Sequence, residues 1–200
     1  MNMIETSPSV IVLAGPNGAG KSTAAPRLLK GTLGVVEFVN ADVIAQGLAA
    51  FAPERVAIEA GSIMHARLRE LAERRRDFAF ETTLASRSLA PWLAELVRTG
   101  YQFHLVFLGL VSADLAVQRV ADRVRMGGHD VPEQTIRRRY DRGLRNFFRL
   151  YQTLATTWAM YDNSETAGMR LIAAGQGHQV TELPEPSIWQ QIHQEYGHDD

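Results

Sequence analysis

Gly15-Pro-Asn-Gly-Ala-Gly20-Lys21-Ser22 fits the spacing G-x-x-x-x-G-K-[ST]. Glycine at 15, 18 and 20 lets backbone N–H groups turn inward with no Cβ in the way. Such a loop, closed by the start of a helix, cradles phosphate oxygens. Lys21 is then the cation for the β- and γ-phosphates, and Ser22 offers its hydroxyl to Mg²⁺. The expected nucleotide-binding set is Gly15, Asn17, Gly18, Ala19, Gly20, Lys21, Ser22 and Thr23, with ATP as the ligand. Of the 21 basic residues only Lys21 and Lys30 are lysine, and there are 16 glycines. A chain of this composition meets the pattern by chance about once in a thousand.

A triphosphate needs a reaction partner. Phosphoryl transfer to a hydroxyl requires positioning, a carboxylate to take the proton, and cations for the transferring group. Two polar clusters follow apolar runs in the way a doubly wound sheet demands of its ligand edge: Asn40-Ala41-Asp42 and Glu81-Thr82-Thr83. Asp42 is the expected base, although an Asp in the first turn of a helix is also common. Glu81 and Thr83 are expected to hold the acceptor's hydroxyls or to support the metal. The cations are expected from residues 119–149, with nine Arg against four acids. Helix, Gly127-Gly128, helix is how a mobile lid is built, and the planar guanidinium fork suits phosphate oxygens. Each of these arginines also fits a solvated helix face. His129 either swings over the nucleotide or caps the lid turn. Asp162-Asn163 either lies near the adenine or ends a strand.

These residues need a scaffold. The continuous apolar run at 10–14 reads as a strand covered on both faces, and 34–39, 78–81 and 101–108 read as further strands. Helices are expected over 21–30, 42–50, 53–76, 89–99 and 112–125, the last capped by Ser112. Pro132 opens a helical stretch toward Met160, and Phe147, Phe148, Tyr151 and Trp158 read as its core-facing stripe. Short strands at 161–163 and 169–174 and a helix at 187–196 complete the chain. The pattern is an α/β fold: one P-loop NTPase domain over residues 1–200, nucleoside-kinase-like, with a mostly parallel sheet flanked by helices and an Arg-rich helical lid at about 119–149.

The composition narrows the function. The 200 residues are enough to bury about 70% of the unfolded surface without staples. A net charge of −1 argues against nucleic acid as a partner, and no Cys means no thiolate chemistry. Residues 1–9 carry no Lys or Arg and include Glu5, unlike a secretory signal. The run at 105–111 is far short of the ~20 residues of a membrane span. A soluble cytoplasmic protein without membrane contact is expected. The Leu-Ser-Gly-Gly-Gln signature of transporter ATPases and the Asn-Lys-x-Asp motif of GTPases are both missing, which leaves the small-molecule kinases.

In order along the chain, 15–23, Val39-Asn-Ala-Asp42, Phe80-Glu-Thr-Thr83, Arg123-Val-Arg-Met-Gly-Gly-His-Asp-Val-Pro132 with 136–140, and Tyr161-Asp-Asn-Ser164 resemble the zeta toxin family of P-loop kinases. The short stand-alone members look most similar. The resemblance implies ATP-dependent phosphorylation of UDP-N-acetylglucosamine at its 3′-hydroxyl. It implies Asp42 as general base, Lys21 on phosphate, and Glu81 and Thr83 on the acceptor. It implies two arginines on the transferring group, best matched by Arg123 and Arg139, with Arg125 and Arg138 as rivals. It also implies an antitoxin protein as partner. The chain is shorter than the well-characterised toxins, so the chemistry transfers better than the sugar-nucleotide acceptor. Another acceptor (a nucleoside, a plain sugar or an RNA end) and an ATP-binding regulatory module with slow hydrolysis stay open.

Overall fold

The structure is a computed structural model that describes residues 7–32, 34–165 and 168–198. Most of the segment read as unlike a secretory signal lies outside the described residues. β1 (Ser9–Ala14) is apolar and buried along nearly its whole length. It is followed by α1 (Lys21–Ala25), which widens into a π-helical turn over Pro26–Thr32. Pro26 has no N–H for the regular i−4 bond, and the wider turn absorbs that loss. Next come β2 (Phe38–Val39), α2 (Ala41–Leu48), a 3₁₀ turn (Pro53–Val56), α3 (Ala57–Glu73), β3 (Phe78–Thr82) and α4 (Leu89–Arg98). β4 (Gln102–Gly109), α5 (Ala113–Arg125) and α6 (Glu133–Asn146) follow. A second π turn (Phe147–Tyr151) leads into α7 (Gln152–Leu154). The chain ends with β5 (Thr157–Asp162), β6 (Arg170–Gln176), β7 (Gln179–Glu182) and α8 (Pro186–Tyr196).

The strands form one sheet in the order β2-β3-β1-β4-β5-β6-β7. The first five are parallel, and β6 and β7 add antiparallel pairs at one edge. β1 sits between β3 and β4, so chain direction across the sheet reverses at β1. The carboxyl end of that strand is the topological switch point where such sheets bind ligands. No helix among the described residues is long and apolar enough to cross a membrane.

Three expectations are corrected. The strand over 34–39 shrinks to Phe38–Val39: its neighbour β3 begins at Phe78, so pairing reaches back only to the Glu37 carbonyl, which accepts from Ala79 N at 2.8 Å. The helix toward Met160 ends at Leu154. Thr156 and Thr157 are β-branched, and β4 offers an edge that Thr157–Asp162 fills in parallel register from His104 to Gly109. Trp158 therefore belongs to β5. It still joins the aromatic cluster, with its ring 5.8 Å from Phe147 and stacked at 5.3 Å on Trp189 of α8. The last strand, β7, was not anticipated. All four of its residues are exposed, so it carries no hydrophobic alternation to read.

Candidate active site

β1 delivers the chain to Gly15, whose φ is +138°. A Cβ there would overlap the carbonyl oxygen of Leu108 on β4, so the loop can leave the sheet this tightly only with glycine. Gly20 (φ +78°) starts α1, and a Cβ there would lie 2.9 Å from Asn163 Nδ2. That amide donates to Ala19 O at 2.8 Å. Arg119 donates to the carbonyls of Asn163 and Ser164 at 2.7 and 2.6 Å. Asp162 accepts from Ser164 and Arg170. The segment after β5 is thus pinned against the back of the P-loop.

Lys21 is only 6% exposed, and its Nζ donates to Gly15 O at 2.8 Å and Pro16 O at 2.9 Å. Glu81, from the end of β3, stands 3.6 Å away. Burial pulls the Lys21 ammonium below its ordinary value; Glu81 and Asp42 oppose that shift, and Arg123 adds to it. Ser22 Oγ donates to Glu81 Oε2 at 2.8 Å. Because the hydroxyl spends its proton on Glu81, its oxygen lone pairs remain available to a cation. The same Oε2 accepts from Asn40 Nδ2 at 2.9 Å. Among the described residues no group of three or more His, Asp or Glu could cage a metal. An oxygen-only set of Ser22 and one carboxylate nevertheless fits Mg²⁺, which commonly completes its shell with water and nucleotide phosphate.

Asp42 lies in the first turn of α2 with its side chain exposed. The N-cap of that helix is Asn40, whose Oδ1 accepts from the N–H groups of Asp42 (2.8 Å) and Val43 (3.4 Å). Sequence reasoning gave Asn40 no role. Its place two residues before Asp42, at the start of an apolar-periodic helix, was the available signal. Thr83 comes against α6. A Cβ at Gly143 would sit 2.5 Å from Thr83 O, so this helix approaches the end of β3 at backbone distance. Thr23 is exposed on α1.

Four arginines were in contention, and the structure separates them. Arg139 is half-buried and donates to Asn17 Oδ1 at 3.3 Å. Burial lowers its pKa, Asp42 raises it, and Arg138 lowers it further. Arg123 donates through Nη2 to His129 O at 2.7 Å. Its Nε is the one buried side-chain polar atom without a partner among the described residues. Arg125 is exposed and paired with Asp122, and Arg138 is exposed. His129 lies across the cleft from α2, with Nδ1 4.0 Å from Glu54. It lines a cavity of about 50 Å³ together with Asp42, Ala45, Gln46 and Pro53. Its backbone carbonyl is the one that accepts from Arg123. The base of α6 is tied down by Tyr140, which donates to Leu110 O at 2.7 Å, and by an Arg137–Asp114 ion pair to α5.

With this geometry in hand, comparison with known proteins is decisive for the family. Residues 10–150 match the AAA domain. The chain belongs to the AAA-domain family. An uncharacterized protein of Haemophilus influenzae is 28% identical over 131 residues, covering 65% of this chain and 91% of that one. A chain in the crystal structure of AvrRxo1-ORF1:-ORF2 with ATP superimposes with a TM-score of 0.74 at 15% identity, covering 94% of this chain. This AAA-domain chain spans 64% of that larger one. A chain of the PezAT chromosomal toxin–antitoxin system of Streptococcus pneumoniae gives a TM-score of 0.66 at 14% identity, covering 96% of this chain and 86% of that one. The zeta-toxin-like P-loop kinase architecture expected from the sequence is the architecture found, at the level of the fold.

Proposed function

We propose that the protein transfers the γ-phosphoryl group of ATP to a hydroxyl of a small molecule, with UDP-N-acetylglucosamine or a related sugar nucleotide as acceptor. One observation carries the reading. Asp42 and Arg123 lie close enough to Lys21, and Asp42 close enough to Arg139, to act on those two cations electrostatically, while Arg123 Nε is buried with no hydrogen-bond partner among the described residues. Lys21 exchanges the carbonyls of Gly15 and Pro16 for phosphate oxygens. Arg123 and Arg139 spread the charge of the transferring group. Asp42 takes the proton of the acceptor hydroxyl as that oxygen bonds to the γ-phosphorus. The bond from phosphorus to the β–γ bridging oxygen breaks, and its electrons leave with ADP. Ser22, backed by Glu81, would hold Mg²⁺, which supplies charge neutralisation on the β- and γ-oxygens when bound.

Thr83 is assigned to an acceptor hydroxyl. Glu81 is assigned to the Ser22 side of the site, because its carboxylate is already engaged by Ser22 and Asn40. The segment 119–149 is assigned as the lid. The sugar-nucleotide acceptor rests on the zeta toxin resemblance. An antitoxin chain as partner rests on that resemblance and on the likeness to PezAT. ADP release from Mg-ATP, with and without UDP-N-acetylglucosamine, tests the reading. Stimulation by the sugar nucleotide that disappears in Asp42→Asn, with ATP binding retained, is the expected result. A slow rate indifferent to this acceptor, and to nucleoside and sugar acceptors, would refute phosphotransfer.

A further inference from the structure

Asn40 is 6% exposed and uses both ends of its amide. Oδ1 accepts from the backbone of Asp42 and Val43, and Nδ2 donates to Glu81 Oε2 at 2.9 Å. That oxygen also accepts a hydrogen bond from Ser22 Oγ at 2.8 Å. Reversing the amide would set N–H against N–H at α2 and oxygen against a carboxylate at β3, so the contacts fix its orientation. One side chain therefore touches the turn that places the proposed base and the carboxylate that touches the phosphate-binding helix. These two parts lie about 40 residues apart in sequence and share no other side-chain hydrogen bond among the described residues.

We infer that Asn40 is a positioning residue that couples Asp42 to the Glu81–Ser22 pair, so that disturbing either half shifts the other. Nothing shorter or differently charged does both jobs. Serine at this position would still cap α2, but its hydroxyl is too short to reach Glu81. Aspartate would still cap, but it would set a carboxylate against a carboxylate. The consequence for turnover rests on the phosphotransfer reading above, whereas the coupling itself does not.

The coupling is tested without nucleotide, by amide hydrogen exchange in the wild type and Glu81→Ala. Losing Glu81 removes one of the two anchors of Asn40. Exchange at the Asp42 and Val43 amides should then accelerate about tenfold, the equivalent of one charge-assisted hydrogen bond. Unchanged exchange there would overturn the inference, as would an equal acceleration at β1 amides such as Val12, which marks general loss of stability. Mg²⁺-dependent ATP binding is the second measurement. Asn40→Ser should melt close to the wild type yet bind Mg-ATP about tenfold more weakly. In the Glu81→Ala background it should add little, because the bond it breaks is already gone. Additive losses would overturn the inference. Accelerated exchange and non-additive binding, together with no transfer to any acceptor, would uphold the coupling and sink the phosphotransfer reading instead.

Discussion

Gly143→Ala should weaken this protein, although Gly to Ala inside a helix usually strengthens one. The helical gain is about 1 kcal/mol from backbone entropy. Against it stands the position of Gly143 on α6, where a Cβ would lie 2.5 Å from the carbonyl oxygen of Thr83. That is roughly 0.9 Å inside ordinary contact, and the obstacle is backbone, which has no rotamer to change. Overpacking of this kind costs about 1–3 kcal/mol, so the net loss should be about 1 kcal/mol. The larger effect should be on turnover. Arg139 lies one helical turn before Gly143, on the same face of α6. A shift of α6 by most of an ångström carries Arg139 away from Asn17, which it now meets at 3.3 Å. Misplacement on that scale can cost about 10²-fold in rate. Urea unfolding and steady-state ADP release measure the two effects separately. A variant more stable than the wild type with unchanged kcat would refute the claim that α6 is seated by backbone contact and that this seating aims Arg139.

Two further outcomes follow from the same geometry. Lys21→Met should abolish Mg-ATP binding while changing the pH dependence of stability. The folded pKa of Lys21 lies below its unfolded value of 10.5. The unfolded state therefore binds more protons in the window between the two, and Lys21 makes wild-type stability rise with pH there. Unfolding free energies compared across that window should show the rise diminished in Lys21→Met; an identical slope would contradict burial as the cause. Among the arginines, Arg123→Ala and Arg139→Ala should each lower kcat by about 10²–10³. Arg125→Ala and Arg138→Ala, on outward-facing side chains, should stay within about threefold. Steady-state kinetics on all four would reject the assignment if the outer pair proved the more damaging.

The P-loop was legible in the sequence because its geometry is written in local spacing: glycine where φ is positive, lysine one residue on, and a strand before it. The helix cap at Ser112 and the breaks at Gly100 and Gly127 were legible for the same reason. The partnership of Glu81 with Ser22 was not, because it depends on β3 lying beside β1, a neighbourhood fixed by sheet order. Asn40 was visible as a residue and invisible as a bridge, since its second partner comes from another strand. The choice among four arginines likewise needed the way α5 and α6 sit over the loop. The end of the long helix at Leu154 was set by tertiary competition, as β4 claimed the residues after it.

The placement of β1 has a consequence for how the chain comes into being. Its last five residues, Val10 to Ala14, are almost wholly buried, and they pair with β3 from Phe78 and with β4 from Phe103. Both neighbours are made long after β1. At a synthesis rate of about 5–20 residues per second, this apolar strand waits roughly 5–20 s before its second flank exists. The nucleotide loop cannot take its shape earlier, because the Gly15 exit is moulded against Leu108. During that interval a strand destined for full burial keeps at least one open edge, a template for wrong pairing. The first strand of the sheet to be made is thus among the last to be finished, and the nascent chain, more than the finished fold, is where this protein depends on being shielded from its neighbours.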